Sequence, residues 1–303
     1  MLKCLEKDLS NSITVTLLGG YKMKSLISFD GFADVANNII NRISNAVGWL
    51  VTHDTPKSIA LDTYIKDVQN SDFDPITKAV LISQSKKTIK EYCNQNEIIT
   101  LALSMITPTA RPDDVDEDWI LQFMDKARLV SDSEFQIIWA SILANEFNIP
   151  GTIPKALLHI LEQMDKHMAK AFMNVAAASI SFSDDEKIEF SPIILREKFC
   201  DYYNEIGINL DNLIDLQSLG LIQVCNGITT YSMQCSAPVI VHYHDQDCSL
   251  PNEFVIGEVV YTRIGKVLCS VVKPEKIENF FDKICIPLWE KEQNSNTGDG
   301  SAS

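Results

Sequence analysis

The 303-residue chain contains no Cys-x-x-Cys pair, no apolar run of membrane-spanning length, and only 26 Lys and Arg against 41 Asp and Glu. Each shortage excludes something. Its eight cysteines (Cys4, Cys93, Cys200, Cys225, Cys235, Cys248, Cys269 and Cys285) are irregularly spaced. That pattern fits neither a paired-cysteine metal ribbon nor a disulfide framework, so they read as reduced, buried thiols. A membrane helix needs about 20 consecutive apolar residues, and no stretch approaches that. The opening MLKCLEKDLS lacks the apolar segment of an export signal, so the expected compartment is the cytoplasm. A net charge of −15 repels phosphate backbones unless bases cluster. The tightest basic group is Lys86, Lys87 and Lys90, with Glu91 beside it, which reads as a solvated helix face. Nucleic acid is therefore a disfavoured partner.

Chemical motifs are equally scarce. GGYKMK (19–24) lacks the spacing of a phosphate-binding loop, and no G-x-S-x-G is present to carry a serine nucleophile. The acidic run RPDDVDEDW (111–119) lacks the glycine of a calcium loop. Its Asp113, Asp114, Asp116 and Glu117 fit the N-terminus of a helix, where carboxylates stabilise the dipole.

What the chain does have is helical periodicity. In FADVANNIINRISNAVGWL (32–50), Phe32, Val35, Ile39, Ile43, Ala46 and Leu50 recur at steps of three or four, with Asp30 placed to cap. The polar face is Asn and Ser with one Arg, which suits packing against protein better than lying on a membrane surface. Thr55-Pro56 and Asp74-Pro75 each open a helix. The second runs from 76 to about 106, with an expected interruption near CNQNE (93–97). A helix over 118–129 follows. Ser131 and Glu134 match a capping box for the next one, FQIIWASILANEFN, which stops at Pro150-Gly151. PKALLHILEQMDKHMAKAF (154–172) reads as one further helix, with Thr152 and Pro154 at its start. ITVTLLGG (13–20) alternates as a strand. Beyond about residue 178, strand-like runs appear at 187–193, 221–225, 229–235, 238–244 and 253–261. Helices are expected near 194–205, 209–219, 262–272 and 274–291.

The segment 118–161 carries Asp118, Trp119, Ser131, Glu134, Gln136, Trp139, Ala140, Leu143, Ala144, Glu146, Pro150, Gly151 and Thr152. This pattern resembles that of a bacterial family of unknown function, related to the abortive-infection alpha proteins. LQSLGLI (216–222) and VVYTRIGKVL (259–268) resemble two further elements of it. Tyr261 stands where the family usually has leucine, and Asn145 where glycine is common. The resemblance implies a role in phage defence and supplies no catalytic residue.

The expected architecture is mainly α with a C-terminal α+β winged-helix-like domain. A helical region covers 1–110, a central helical hairpin 111–178, the winged-helix-like domain 179–290 and a disordered polar tail 291–303. Three side-chain groups are candidates for chemistry. Glu146 continues the stripe of Phe135, Trp139 and Ile142, where a carboxylate is costly unless paired; it reads as a binding or acid-base group, or else as an ion partner of a cation such as Arg128 or a residue exposed near the helix end. His242 and His244 fall on one side of a strand, and with Asp247 or Cys248 offer zinc ligands, against a reading as solvent-facing histidines. The helix 209–219 sits where a winged helix reads DNA, but it carries Asp211 and Asp215 and no base, so a protein contact fits it better. The leading expectation is a non-enzymatic protein acting through a protein partner or self-association. The alternatives are a metal-dependent enzyme and a nucleic-acid-binding regulator.

Overall fold

The computed structural model describes residues 30–47, 57–185, 187–225 and 230–290. The strand expected at 13–20, the Thr55-Pro56 helix start and the tail after 290 lie outside them.

The helices follow the apolar periodicity. Helix α1 (Asp30–Val47) buries Ile39 and Ile43, and Asp30 is its first residue instead of its cap. Helices α2 (Lys57–Asn70) and α3 (Pro75–Leu103) form a hairpin. Asp74 caps α3 by accepting the Ile76 and Thr77 amides at 2.9 and 3.1 Å, and Pro75 occupies the first turn, where its missing donor costs nothing. No interruption occurs at 93–97. The polar residues there bridge to a neighbouring helix: Asn94 Nδ2 donates to the Arg128 carbonyl at 2.8 Å, and Gln95 Nε2 to the Met124 carbonyl at 2.8 Å. Both carbonyls lie at the C-terminal end of α4; that of Met124 also accepts the Arg128 amide at 3.2 Å.

After a 3-10 turn at Pro112–Asp114 come α4 (Glu117–Ala127) and α5 (Ser133–Asn148). The cap of α5 is Asp132, not Ser131: its carboxylate accepts the Glu134 and Phe135 amides and also binds Lys166 at 2.9 Å. A carboxylate one residue closer to the helix reaches the same donors and adds a charge at the dipole. Asp132→Ala removes the cap and is expected to lower the urea midpoint at unchanged slope. The leucine-rich stretch is two helices, α6 (Lys155–Gln163) and α7 (Lys166–Ala177). The break falls at Met164-Asp165, where Asp165 accepts the Met168 amide and caps α7. The start of α6 is Pro154, with no side-chain cap.

The C-terminal region alternates strands and helices. Its strands are β1 (Ser179–Asp184), β2 (Lys187–Pro192), β3 (Ile222–Val224), β4 (Tyr231–Gln234), β5 (Val239–Tyr243), β6 (Gln246–Leu250), β7 (Glu253–Gly257) and β8 (Val259–Tyr261). An antiparallel sheet is ordered β2-β1-β5-β6, and two ribbons pair β3 with β8 and β4 with β7. Helices α8 (Arg196–Glu205) and α9 (Leu210–Ser218) precede β3, and α10 (Arg263–Val271) follows β8. The expected helix 274–291 begins later, at residue 280, and is π-helical over Phe281–Cys285. The run 253–261 is two strands because Gly257, at φ +116°, turns the chain between them. Apart from Val68 and Ala177, the buried apolar side chains of the described residues form one cluster from Ile39 to Trp289. No described helix is long and apolar enough to cross a membrane.

Candidate functional site

Four residues of the 118–161 pattern, Trp119, Glu146, Gly151 and Thr152, come together at the turn after α5. Glu146 lies in the last turn of α5 and is 2 % exposed. Its Oε1 accepts the Gly151 amide at 2.7 Å and its Oε2 the Ile153 amide at 2.9 Å. Gly151 sits at φ +83°, in the left-handed region that favours glycine. Trp119 Nε1 donates to the Ile153 carbonyl at 3.0 Å, so both backbone groups of Ile153 are held. Asn145 Nδ2 donates to Thr152 Oγ1 at 2.9 Å. Glycine at this position could not make that bond. The result is a clamp: one carboxylate and one indole fix the path from α5 into α6.

Glu146 and Arg128 do not meet. Arg128 binds Glu91 at 2.9 Å and Asp125 at 3.0 Å, joining α3 to the end of α4. The bond to Asp125, with Glu91 nearby, raises the guanidinium's pKa. The stripe therefore pairs its carboxylate with backbone donors, an outcome that residue spacing does not reveal. Burial lifts the Glu146 carboxyl above its ordinary value, with the Gly151 and Ile153 amides pulling the other way. Trp139 is fully buried against Phe123 and Phe135, with ring centroids 5.2 and 6.3 Å away. Its Nε1 has no hydrogen-bond partner among the described residues. A cleft of about 250 Å³ beside it is bordered by Lys126, Val130, Asp132, Phe135 and Leu161. Lys126 pairs with Glu162 at this cleft.

The proposed zinc ligands are only partly assembled. His242 Nδ1 and Asp247 Oδ1 lie 2.7 Å apart, directly opposite each other on β5 and β6. His244 is not on the strand. It occupies the hairpin turn at φ +52°, because β5 ends at Tyr243. Cys248 follows Asp247 on β6 and pairs with Val241, so the pleat sends it to the opposite face. Among the described residues, no group of three or more His, Cys, Asp or Glu is placed to hold a metal ion. In the acidic run, Asp113 accepts from Asn38 at 3.2 Å, Asp114 pairs with Arg111 at 3.3 Å, and Asp116 caps α4 while binding Lys155 at 2.9 Å. Of the thiols, Cys235, Cys269 and Cys285 are buried, Cys93, Cys225 and Cys248 are half-buried, and Cys200 is exposed. Burial pushes Cys269 up to about 11, which suppresses the thiolate.

The two C-terminal echoes of the family pattern also touch. Gly220 ends α9 at φ +73°, with the Leu221 amide returning to the Leu216 carbonyl and the Gly220 amide to Gln217. Thr262 caps α10, and its Oγ1 donates to the Gly220 carbonyl at 2.6 Å. Gly265 packs onto the Leu221 carbonyl so closely that a Cβ there would stand 1.9 Å from the oxygen.

Fold and site together define a mainly helical protein with a sheet-containing C-terminal region. The chain belongs to the family described as Protein of unknown function (DUF2806), which matches residues 82–285. No curated protein and no solved structure matches the chain.

Proposed function

We propose that this is an intracellular bacterial protein of the phage-defence, abortive-infection type that acts by binding a protein partner or its own copies through a helical surface. The observation that carries the reading is the apolar surface of the α2–α3 hairpin. Tyr64, Phe73, Ile76 and Val80 are all exposed there, Ile76 at 77 %. Isolated exposed apolar residues need no explanation, but Ile76 and Val80, one turn apart on one side of α3, with Phe73 just before its cap, support a reading as an interaction surface. A lesser group, Leu210 and Ile214, is exposed on α9. We read α8, α9 and the β3–β8 ribbon as winged-helix-like, with α9 turned to protein contact because Asp211 and Asp215 repel a phosphate backbone.

The test is a plaque assay in the native host, comparing wild type with the double substitution Ile76→Asp and Val80→Asp. Both positions are exposed, so the fold is expected to survive, as circular dichroism can verify. We expect protection to fall to the level of the deletion strain. Full protection by the folded variant would overturn the reading. The enzyme alternative has less support, since only His242 and Asp247 of its four residues come together.

A further inference from the structure

Two polar side chains beside one cleft have donors to spare. Trp139 is completely buried, and its Nε1 meets no acceptor among the described residues. A buried N–H gives up its bond to water on folding and is costly until something else accepts it. The second group is the Lys126 ammonium. Its side chain is only 10 % exposed and pairs with Glu162. An ammonium carries three N–H donors, so that pair leaves donors over.

Both residues border the cleft of about 250 Å³ between the end of α4, the start of α5 and the end of α6. Val130, Phe135, Leu161 and Met164 give it apolar walls, and Leu129, largely exposed, stands at its open side. The acceptors at the cleft are already engaged. Asp132 gives Oδ1 to the Glu134 and Phe135 amides and Oδ2 to Lys166. Glu162 holds Lys126, and about half of its side chain is open to water, which satisfies its other lone pairs. The charges also cancel, Lys126 against Glu162 and Lys166 against Asp132. What the cleft leaves unmet is donors on an apolar lining.

We propose that this cleft binds a small uncharged carbonyl compound, whose oxygen accepts from Trp139 Nε1 and Lys126 and whose apolar body lies against Phe135, Leu161 and Met164. A carbonyl oxygen has two lone pairs, one for each donor. A ketone, ester or amide of about ten heavy atoms suits the space, since a cavity of about 150 Å³ already holds benzene. A carboxylate suits it less, because its charge would stand uncompensated near Glu162 and Asp132. An amine would set donors against donors. Water competes for any polar cleft, but it gains nothing from the apolar walls, whereas an apolar body does.

The experiment labels the full-length chain on the indole nitrogen of tryptophan and follows the N–H signals by magnetic resonance as acetophenone is added to millimolar concentration. Trp139→Phe identifies the Trp139 signal. Should that variant not fold, single replacements of Trp49, Trp119 and Trp289 identify it by elimination. The Trp139 signal is expected to move downfield and saturate, as an N–H does on gaining an acceptor. Lys126→Met keeps the stem and removes the donors, and is expected to weaken binding about tenfold, the worth of one charge-assisted bond. Two molecules of similar size separate the chemistry. Benzylamine, protonated and without an acceptor, is expected to leave the signal in place. Benzoate is expected to bind severalfold more weakly than acetophenone. A Trp139 signal that stays still with acetophenone overturns the proposal and leaves water as the occupant. A signal that moves equally with benzylamine overturns it too, because apolar filling alone would then explain the shift. Tighter binding of benzoate overturns the uncharged class, and unchanged affinity in folded Lys126→Met overturns the pair of donors.

Discussion

Replacing Gly265 by alanine is expected to lower the unfolding free energy by about 3 kcal/mol, at the upper end of overpacking costs. The added carbon would sit 1.9 Å from the Leu221 oxygen and 3.1 Å from the Tyr261 ring. The oxygen belongs to backbone and cannot swing aside. It also accepts the Thr262 amide at 3.0 Å, so α10 cannot back away without loosening its own cap. Gly220→Ala is the informative comparison. That glycine has nothing within 4 Å, but its φ is +73°. Its expected cost is about 1 kcal/mol of backbone strain, and Gly220→Asn should recover part of it, since asparagine tolerates that conformation. Urea unfolding of the three variants separates steric from conformational cost. Equal midpoints for Gly265→Ala and Gly220→Ala would contradict the close packing of α10 on the end of α9.

The second large effect is at Glu146. Glu146→Ala leaves the Gly151 and Ile153 amides without an acceptor in a dry site and opens a cavity, at about 3 kcal/mol. Glu146→Gln keeps the volume, but its amide nitrogen faces a donor, so it should fall between alanine and wild type. The charge adds a pH signature. Because the carboxyl is raised in the folded state, the fold holds its proton more tightly than the unfolded chain does. Its contribution to stability is therefore largest at acid pH. It declines as pH rises through the window between the ordinary glutamate value and the raised one, and is flat above. Asp74, Asp116 and Asp132 shift the opposite way, held low by bonds to Thr77, Lys155 and Lys166 respectively, so total stability falls in acid. The difference between wild type and Glu146→Gln isolates the Glu146 contribution. That difference should shrink as pH rises from about 4 towards neutrality. A difference that grows with pH would mean the carboxylate is stabilised by its site.

Much of the fold was legible where one rule decided the outcome. Asp74-Pro75 gave a helix start because capping and proline geometry agree locally. Alternation located β5 because its residues are buried and exposed in turn; β2 alternates in sequence, but its burial instead rises along the strand towards Ser191 and Pro192. Strands β1 and β6 escaped. SISFSD follows directly on a helix without turn residues, and QDCSL is too polar to read as a strand until β5 supplies its partner. The supposed break at 93–97 failed for a related reason. Asn94 and Gln95 look like helix breakers in isolation, yet they bond to carbonyls 34 and 29 residues away. Glu146 was legible as a costly group but not as a clamp, because its partners are backbone amides, which carry no side-chain signature. The two glycines of the C-terminal echoes were visible as a pattern. That they meet across Leu221 depends on tertiary packing.

The continuity of α3 has a mechanical consequence. One unbroken rod runs from Pro75 to Leu103, and its inner half is tied to the end of α4 by Glu91, Asn94 and Gln95 and seated in the core by Ile98, Ile99, Ala102 and Leu103. A helix without a kink has no hinge at which to bend. A pull at its outer end, about 27 Å from Asn94, is therefore felt as strain at those bonds and at the packing of α3 on α5.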